Sequence, residues 1–498
     1  MNKNEKSSSY SHIVRYTGLF GGAQGISILI ALLRNKFVAT ILGPNGMGLI
    51  SLFTSTITFV SNATNFGIQK SAVRNLSEVY EKGDEQEVLH FVKVIRSWSL
   101  LTALFGMFVC IALCSALNDL TFNWGDHTLH FVLLSPIVGL MAVTGGEAAI
   151  LIATRRLRNL AKISIYNALT ALVTSVPLYY FFGEPGIIPS LIIMYLIQLL
   201  LTIGYSYKHY PLSLSGSRKT LGEGADMVKL GIAFVAAGIV ASGAELLIRS
   251  FLNNHATLEV VGLYSAGYMV TMTYAGVVFA SMETDYFPRL SSVSSDVEQA
   301  NLTVNRQIEV SLLLISPLLV FFTIALPVLL PLLYSGKFIP AMGMVQVMVF
   351  AMYLRAINMP IAYMSLARGD SRSYLLLETI YAVVLLLLTV VSFSRWGLVG
   401  CGIAIAAAAL IELLMVATYN HRKYGYTVSR NVKTYALIQL PIGVVAYLVS
   451  FIENGVIYWT AGLLLVLVST VASVTILRKK SSLWASLANK LKRRLHRE

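Results

Sequence analysis

Apolar runs of about twenty residues follow one another along nearly the whole of this 498-residue chain. Each is long enough to cross roughly 30 Å of hydrocarbon as a helix. Lipid offers the backbone no hydrogen-bond partner, and strands with free edges do not survive there, so the chain should be helical throughout. About fourteen runs can be drawn, at 13–41, 46–68, 91–114, 129–153, 159–182, 187–207, 228–251, 260–282, 305–333, 341–366, 374–394, 397–419, 432–452 and 456–477. Composition agrees: 56% of residues are hydrophobic, only 12% are charged, and the mean hydropathy is +0.69, far outside the soluble range. The N-terminus is polar and the first run is too long for a cleavable signal peptide.

Basic residues orient the spans. With the N-terminus in the cytoplasm, the loops assigned to the outer face carry only Lys337 and Arg395 of the 38 Lys and Arg, and the inner segments carry nearly all the rest. That bias is a strong positive-inside signal and places both termini in the cytoplasm. It also explains the net charge of +14. A nucleic-acid binder would gather its charge on one soluble face, whereas here the charge alternates with the spans and faces anionic lipid on the inner leaflet.

The chain also repeats itself. Arg34 is echoed by Arg249, Gly48-Leu49-Ile50-Ser51 by Gly262-Leu263-Tyr264-Ser265, Arg74 by Arg289, and Arg158 by Arg372. Gly183 and Gly186 return as Gly397 and Gly400, and Tyr205, Lys208 and Tyr210 as Tyr419, Arg422 and Tyr424. The offset is 214 or 215 throughout. A duplicated bundle with an even number of spans per half sets both halves the same way up. The pseudo-twofold axis then stands along the membrane normal, and substrate is held between the halves. The expected architecture is an all-α membrane protein. It comprises a first six-helix lobe (12–210), a flexible cytoplasmic linker (211–227), a second six-helix lobe (228–424), two further spans (430–477) and a basic tail (478–498). In that tail Leu483, Leu487, Leu491 and Leu495 recur every four residues among Lys and Arg, the pattern of an amphipathic helix resting on the inner leaflet. The polar stretch 69–90 predicts a short helix or loop on the same side.

No nucleophile elbow, Walker loop, nicotinamide fingerprint or paired-carboxylate pattern is present in the sequence, so covalent catalysis, a cofactor and a nucleotide-driven pump are not expected. Cys110 and Cys114 lie a turn apart and Cys401 stands alone; without further ligands they read as small apolar residues rather than a metal site.

The informative residues are charges inside spans, each costing several kcal/mol unless it faces a cavity or a partner. Arg34 and Lys36 fall in the first span, Arg249 and Glu245 in the seventh, Arg355 in the tenth, Glu147 in the fourth and Glu412 in the twelfth; Glu283 and Asp285 close the eighth. Arginines on the symmetry-related first and seventh spans would present guanidinium forks to one central cavity, a geometry suited to phosphate oxygens. Arg34, Arg249, Arg355 and Lys36 are therefore candidate substrate-binding residues for an anionic cargo, and Glu147 and Glu245 are candidate ion-coupling residues. Quieter readings stand beside these. Glu245 and Arg249, at i,i+4, can neutralise each other, and Lys36, about 200° around the helix from Arg34, can snorkel to the outer headgroups.

The run Leu33-Arg34-Asn35-Lys36-Phe37 through Leu42-Gly43-Pro44-Asn45-Gly46-Met47-Gly48-Leu49, the basic stretch around Arg74 and the six-plus-six duplication resemble polysaccharide transporters of the multidrug/oligosaccharidyl-lipid/polysaccharide superfamily, to which the MATE transporters also belong. The nearest likeness is to the O-antigen translocase (Wzx-type flippase) group, and it covers about 12–477. The resemblance implies a bacterial inner-membrane flippase that turns undecaprenyl-diphosphate-linked oligosaccharide over from the cytoplasmic to the periplasmic leaflet by alternating access. It also implies polysaccharide polymerase machinery as a partner. A peptidoglycan lipid-precursor flippase, a MATE-type drug/cation antiporter and a non-transporting scaffold for glycan assembly remain alternatives. Essentiality, drug susceptibility and tolerance of arginine replacement separate them.

Overall fold

The computed structural model describes residues 3–215 and 217–480, and among these the side chains of all but 3–24, 218–219, 221, 226–234, 274–275, 277–278, 280–285 and 479–480. The tail leucines 483–495 and the side chains of Glu283 and Asp285 lie outside these residues. The described residues form helices α1 (Lys3–Thr64), α2 (Ile68–Lys82), α3 (Glu85–Ala112), α4 (Cys114–Thr121), α5 (Thr128–Ala153), α6 (Leu157–Phe182), α7 (Ile187–Tyr207), α8 (Arg218–His255), α9 (Leu258–Tyr268), α10 (Val277–Ser292), α11 (Val297–Leu333), α12 (Met342–Ala367), α13 (Ser371–Tyr424), α14 (Arg430–Val449) and α15 (Gly455–Lys480). No strand occurs among them.

Among the described residues eleven helices are long and apolar enough to cross a membrane, against about fourteen runs in the sequence. The difference has a physical origin. The stretches Gly25–Thr64 and Ser371–Tyr424, of 40 and 54 residues, are too long for a single crossing at 1.5 Å per residue. Each is broken inside by a glycine with non-helical torsions, Gly43 (φ 66, ψ −168) and Gly397 (φ 57, ψ −138). The run at 260–282 is divided among α9, a π-helical turn at Met269–Ala275 and α10.

Two compact units emerge. The first comprises Met1–Ser265 with Pro331–Phe338. In it α1 packs along α6 and α8, and α5 lies among α2, α3 and α7. Amphipathic α2 answers the polar stretch at 69–90: it buries Ile68, Ala72, Leu76 and Val79 against Val92, Ile95 and Ile150, while Arg74 and Glu78 form an exposed pair on its far side. The second unit comprises Ala266–Leu330 with Ile339–Glu498. Its core gathers Tyr286, Val304, Ile308, Leu312, Met352 and Ala356, with α12 packed along α13. The two helices beyond the duplication brace this unit. Gln439 of α14 bonds Ser469 and Ser473 of α15 at 2.7 and 2.9 Å, and Tyr458 donates to the Ile324 carbonyl of α11 at 2.6 Å.

The repeat is visible as backbone conformation. Gly183 (φ 61, ψ −136) ends α6 in the same rare torsions that Gly397 adopts within α13, a region that strains a residue bearing a Cβ. Three residues on, a Cβ on Gly186 would lie 2.6 Å from the Leu178 carbonyl oxygen, and one on Gly400 2.1 Å from that of Ser392. Both pairs of partners differ by the same 214 positions. Repeat-equivalent residues also touch within the first unit. A Cβ on Gly48 would meet Leu258 O at 2.3 Å and one on Gly262 would meet Pro44 O at 1.9 Å, while the Ser51 and Ser265 hydroxyls bond at 2.6 Å. Such i-to-j, j-to-i contacts are what a local two-fold produces.

The linker expected to be flexible is instead strapped to α3. Arg96 donates to the carbonyls of Tyr210 (2.8 Å) and Pro211 (2.6 Å), Ser215 N–H donates to Ser97 Oγ (2.9 Å), and His90 pairs with Glu223 (2.6 Å). Gly and Ser content reports what a segment can do when unpartnered; here the backbone finds partners on α3.

Candidate functional site

Arg34 sits on α1 about nine residues, roughly 13 Å of helix, before the Gly43 kink. It is half-buried. Its Nε donates to Ser175 Oγ of α6 at 2.9 Å, and Nη2 lies 3.5 Å from Met194 Sδ of α7. No carboxylate partners it among the described residues. A guanidinium has five donors, and a hydroxyl and a thioether leave most of its capacity, and all of its charge, uncompensated.

Lys36 has a partner within the protein. Its Nζ donates to the Pro331 carbonyl at 2.6 Å, one of the last four carbonyls of α11, which lack partners within the helix. A cation is favoured at that negative end.

Arg249 takes the quieter of its two readings. It is 8% exposed. Nη1 binds the Glu245 carboxylate and carbonyl, each at 3.1 Å, and Nε donates to Ser51 Oγ at 2.8 Å. Glu245 itself is 48% exposed, so the pair has one wet member and one dry one. Arg34 meets Ser175 and Met194, whereas Arg249 meets Glu245 and Ser51.

Glu147 and Arg96 are both buried and form a forked pair. Nε meets Oε1 at 2.8 Å and Nη2 meets Oε2 at 3.2 Å, while Ser206 donates to Oε2 at 2.5 Å and the guanidinium lies 4.4 Å from the Tyr207 ring centroid. A cavity of about 80 Å³ adjoins them, lined also by Ser99, Val143 and Leu212, room for a few waters. Arg96 was not singled out from sequence. It lies 51 residues from its partner, beyond any helical spacing, although its position inside a span was a usable signal.

In the second unit Arg355 stands midway along α12, exposed, 5.9 Å from the Phe279 ring centroid, with no ion pair among the described residues. Glu378 and Glu412 of α13 are close enough to feel its charge and each other's, and Glu412 bonds Asn358. Glu378 is a second charge that the span pattern did not flag.

Toward the loops expected to face outward, the first unit has an apolar cavity of about 680 Å³. It is walled by Leu49, Phe53, Leu133 and Ile188, with His127, His130 and Glu184 at its polar edge. The two histidine Nδ1 atoms lie 3.0 Å apart, within hydrogen-bonding distance. Burial and the His130 charge hold His127 below its usual pKa, partly offset by Asp126.

These features together are a helical bundle with a cation held by neutral partners in one unit, and a cation flanked by carboxylates in the other. The comparisons agree with that architecture. Residues 37–343 match the model of a family described as polysaccharide biosynthesis protein. Among solved structures, an inward-facing multidrug-resistance MATE transporter of the MOP superfamily shares 15% identity at a TM-score of 0.66, covering 82% of this chain and 96% of that one. The lipid II flippase MurJ in an inward closed conformation shares 16% at 0.68, covering 93% and 99%. A MOP superfamily transporter from Pyrococcus furiosus, described as having a binding pocket of reversed polarity, shares 14% at 0.56, covering 83% and 96%. Curated proteins give no match. The family match spans more than half of the chain, and the structural likeness extends over nearly all of it. The protein therefore belongs to the polysaccharide biosynthesis family and is built on the multi-pass helical fold of MOP superfamily transporters and flippases.

Proposed function

We propose that the protein flips an undecaprenyl-diphosphate-linked oligosaccharide, an O-antigen or similar surface-polysaccharide repeat unit, from the cytoplasmic to the periplasmic leaflet of a bacterial inner membrane. Two lobes, 12–210 and 228–424, alternate access around the cargo, with both termini cytoplasmic. The observation that carries this reading is Arg34, a guanidinium inside a spanning helix whose described partners are a hydroxyl and a thioether. Such a group is costly in lipid and offers a diphosphate two parallel hydrogen bonds. Arg355 offers a second cation. Arg249 joins them when Glu245 is protonated or drawn away, which makes that pair an exchangeable contact and gives Glu245 the ion-coupling role. Glu147, forked to Arg96, has its charge already matched, and Lys36 serves the α11 terminus. The family match and the fold shared with a structure named as a lipid II flippase support lipid-linked cargo.

The test is a deletion strain analysed for lipid-linked intermediates. Complete undecaprenyl-linked units should accumulate on the cytoplasmic leaflet, and Arg34→Ala should reach the membrane without restoring surface polysaccharide. Wild-type polysaccharide in both Arg34→Ala and Arg355→Ala strains would refute the assignment. Glu378 and Glu412 beside Arg355 favour one second reading, a cation or drug antiporter, which a change in drug susceptibility on deletion would reveal.

A further inference from the structure

The turns that follow α5 and α12 are repeat equivalents and close on the same backbone atoms. Arg156 N–H closes on Leu151 O at 2.8 Å and Asp370 N–H on Ser365 O at 2.9 Å; Thr154 N–H bonds Ile150 O, and Arg368 N–H bonds Met364 O. Arg155 (φ 57) and Gly369 (φ 72) both take left-handed torsions. Every pair differs by 214 positions, so the backbones are equivalent.

The side chains differ at one decisive place. In the second unit Asp370 is an internal anion. It accepts from Lys423, from Tyr424 Oη at 2.7 Å and from Ser373 Oγ at 2.7 Å, and Lys423 also donates to Ser373 Oγ at 2.8 Å. In the first unit the equivalents of Asp370, Ser373, Lys423 and Tyr424 are Arg156, Asn159, His209 and Tyr210. The outer parts of the arrangement persist, with Asn159 Nδ2 3.3 Å from His209 Nε2 and Tyr210 bonded to Arg156 and Thr154. The anion at its centre has become a cation. Arg156, Lys208 and His209 stand together, and the adjacent Glu81 is taken by Arg155 at 2.5 Å. Burial and the charges of Arg156 and Lys208 depress the His209 pKa, as crowding of like charge requires.

Beside them opens a cavity of about 700 Å³, a size typical of ligand sites. Tyr80, Arg156, Lys208, His209 and Tyr210 line it, with Glu85 the acid in its wall and Leu89 at an apolar edge. We propose that this cavity binds a phosphate-bearing anion that occupies, in the first unit, the role Asp370 plays in the second. The loops around it belong to the basic, inner side of the membrane by the positive-inside pattern. The phosphate is therefore either that of an anionic lipid headgroup or a soluble one. Arg156 supplies a fork for two phosphate oxygens, and Lys208 and the tyrosine hydroxyls supply further donors.

The experiment uses the purified full-length protein and does not depend on what the transporter carries. Binding of dioctanoyl phosphatidic acid, dioctanoyl phosphatidylcholine and inorganic phosphate is measured by thermophoresis for wild type, Arg156→Asp and Lys208→Gln. Arg156→Asp installs the acid that the equivalent turn already tolerates, so the fold is expected to persist; Arg156→Gln serves if its melting temperature falls. Wild type should bind the anionic lipid and not the zwitterionic one, and each variant should bind at least tenfold more weakly. Displacement of the lipid by inorganic phosphate identifies a free phosphate as a sufficient ligand; lack of displacement identifies the headgroup. Binding within twofold of wild type in folded variants, equal affinity for both lipids, or no binding of either anion overturns the proposal.

Discussion

Removing the charge from Glu147 should unfold the first unit more readily than any other single carboxylate change. Arg96 and Glu147 are 4% and 2% exposed, so bulk water screens neither. Two unit charges at about 4 Å attract by about 4 kcal/mol at an effective dielectric near 20. Desolvation offsets much of that, yet breaking a buried pair by removing one member leaves the other uncompensated, at about 3–5 kcal/mol. Glu147→Gln keeps an oxygen for Arg96 Nε and loses the fork and the charge, so about 3 kcal/mol of destabilisation is expected. Arg96→Met costs more than the pair alone, because the Tyr210 and Pro211 carbonyls lose their donor at about 1–3 kcal/mol for a buried orphan. A double-mutant cycle of Glu147→Leu and Arg96→Met, read by denaturant unfolding in detergent, should return a coupling of about 2–3 kcal/mol. Limited proteolysis should cut near residues 211–217 only where Arg96 is absent. A coupling below about 0.5 kcal/mol, or a linker equally resistant in the Arg96 variant, would show that the pair does not hold the unit together.

Glycine substitutions separate strain from collision. Gly397→Ala meets nothing within 4 Å and should lose only about 1–3 kcal/mol for its torsions, whereas Gly262→Ala drives a Cβ to within 1.9 Å of Pro44 O and should prevent stable folding; equal melting temperatures would contradict this. Gln439→Leu removes the partner of Ser469 and Ser473 in a buried contact and should cost about 1–3 kcal/mol, visible as earlier thermal loss of the α14–α15 pair in hydrogen exchange. Hydrogen bonds from Lys423, Tyr424 and Ser373 hold the Asp370 carboxyl well below the usual carboxylate range. Its stabilising contribution is therefore fully present above the ordinary value near about 4 and fades as pH falls toward the depressed one. Hydrogen exchange at the start of α13 should rise on acidification below about pH 4 in wild type and show no such dependence in Asp370→Asn.

That this chain is a helical membrane protein, and that one register of 214 or 215 positions runs through it, is legible in the residues alone. Those properties follow from local composition and from a register that can be subtracted. The offset read from Gly183 and Gly397 reappears in their torsions, and the i,i+4 spacing of Glu245 and Arg249 is the pair observed, because a helix fixes both relations without help from the rest of the fold. Which charges are matched follows from the packing of distant helices. Lys36 finds a carbonyl 295 residues away, Glu147 an arginine 51 residues away, and the linker its donors on α3. The two equivalent turns differ in sequence at their centre, Arg156 against Asp370, while packing supplies the groups that surround each of these positions. Pairing of this kind depends on which helices lie side by side, and side-chain packing between distant spans, rather than any local period, sets that.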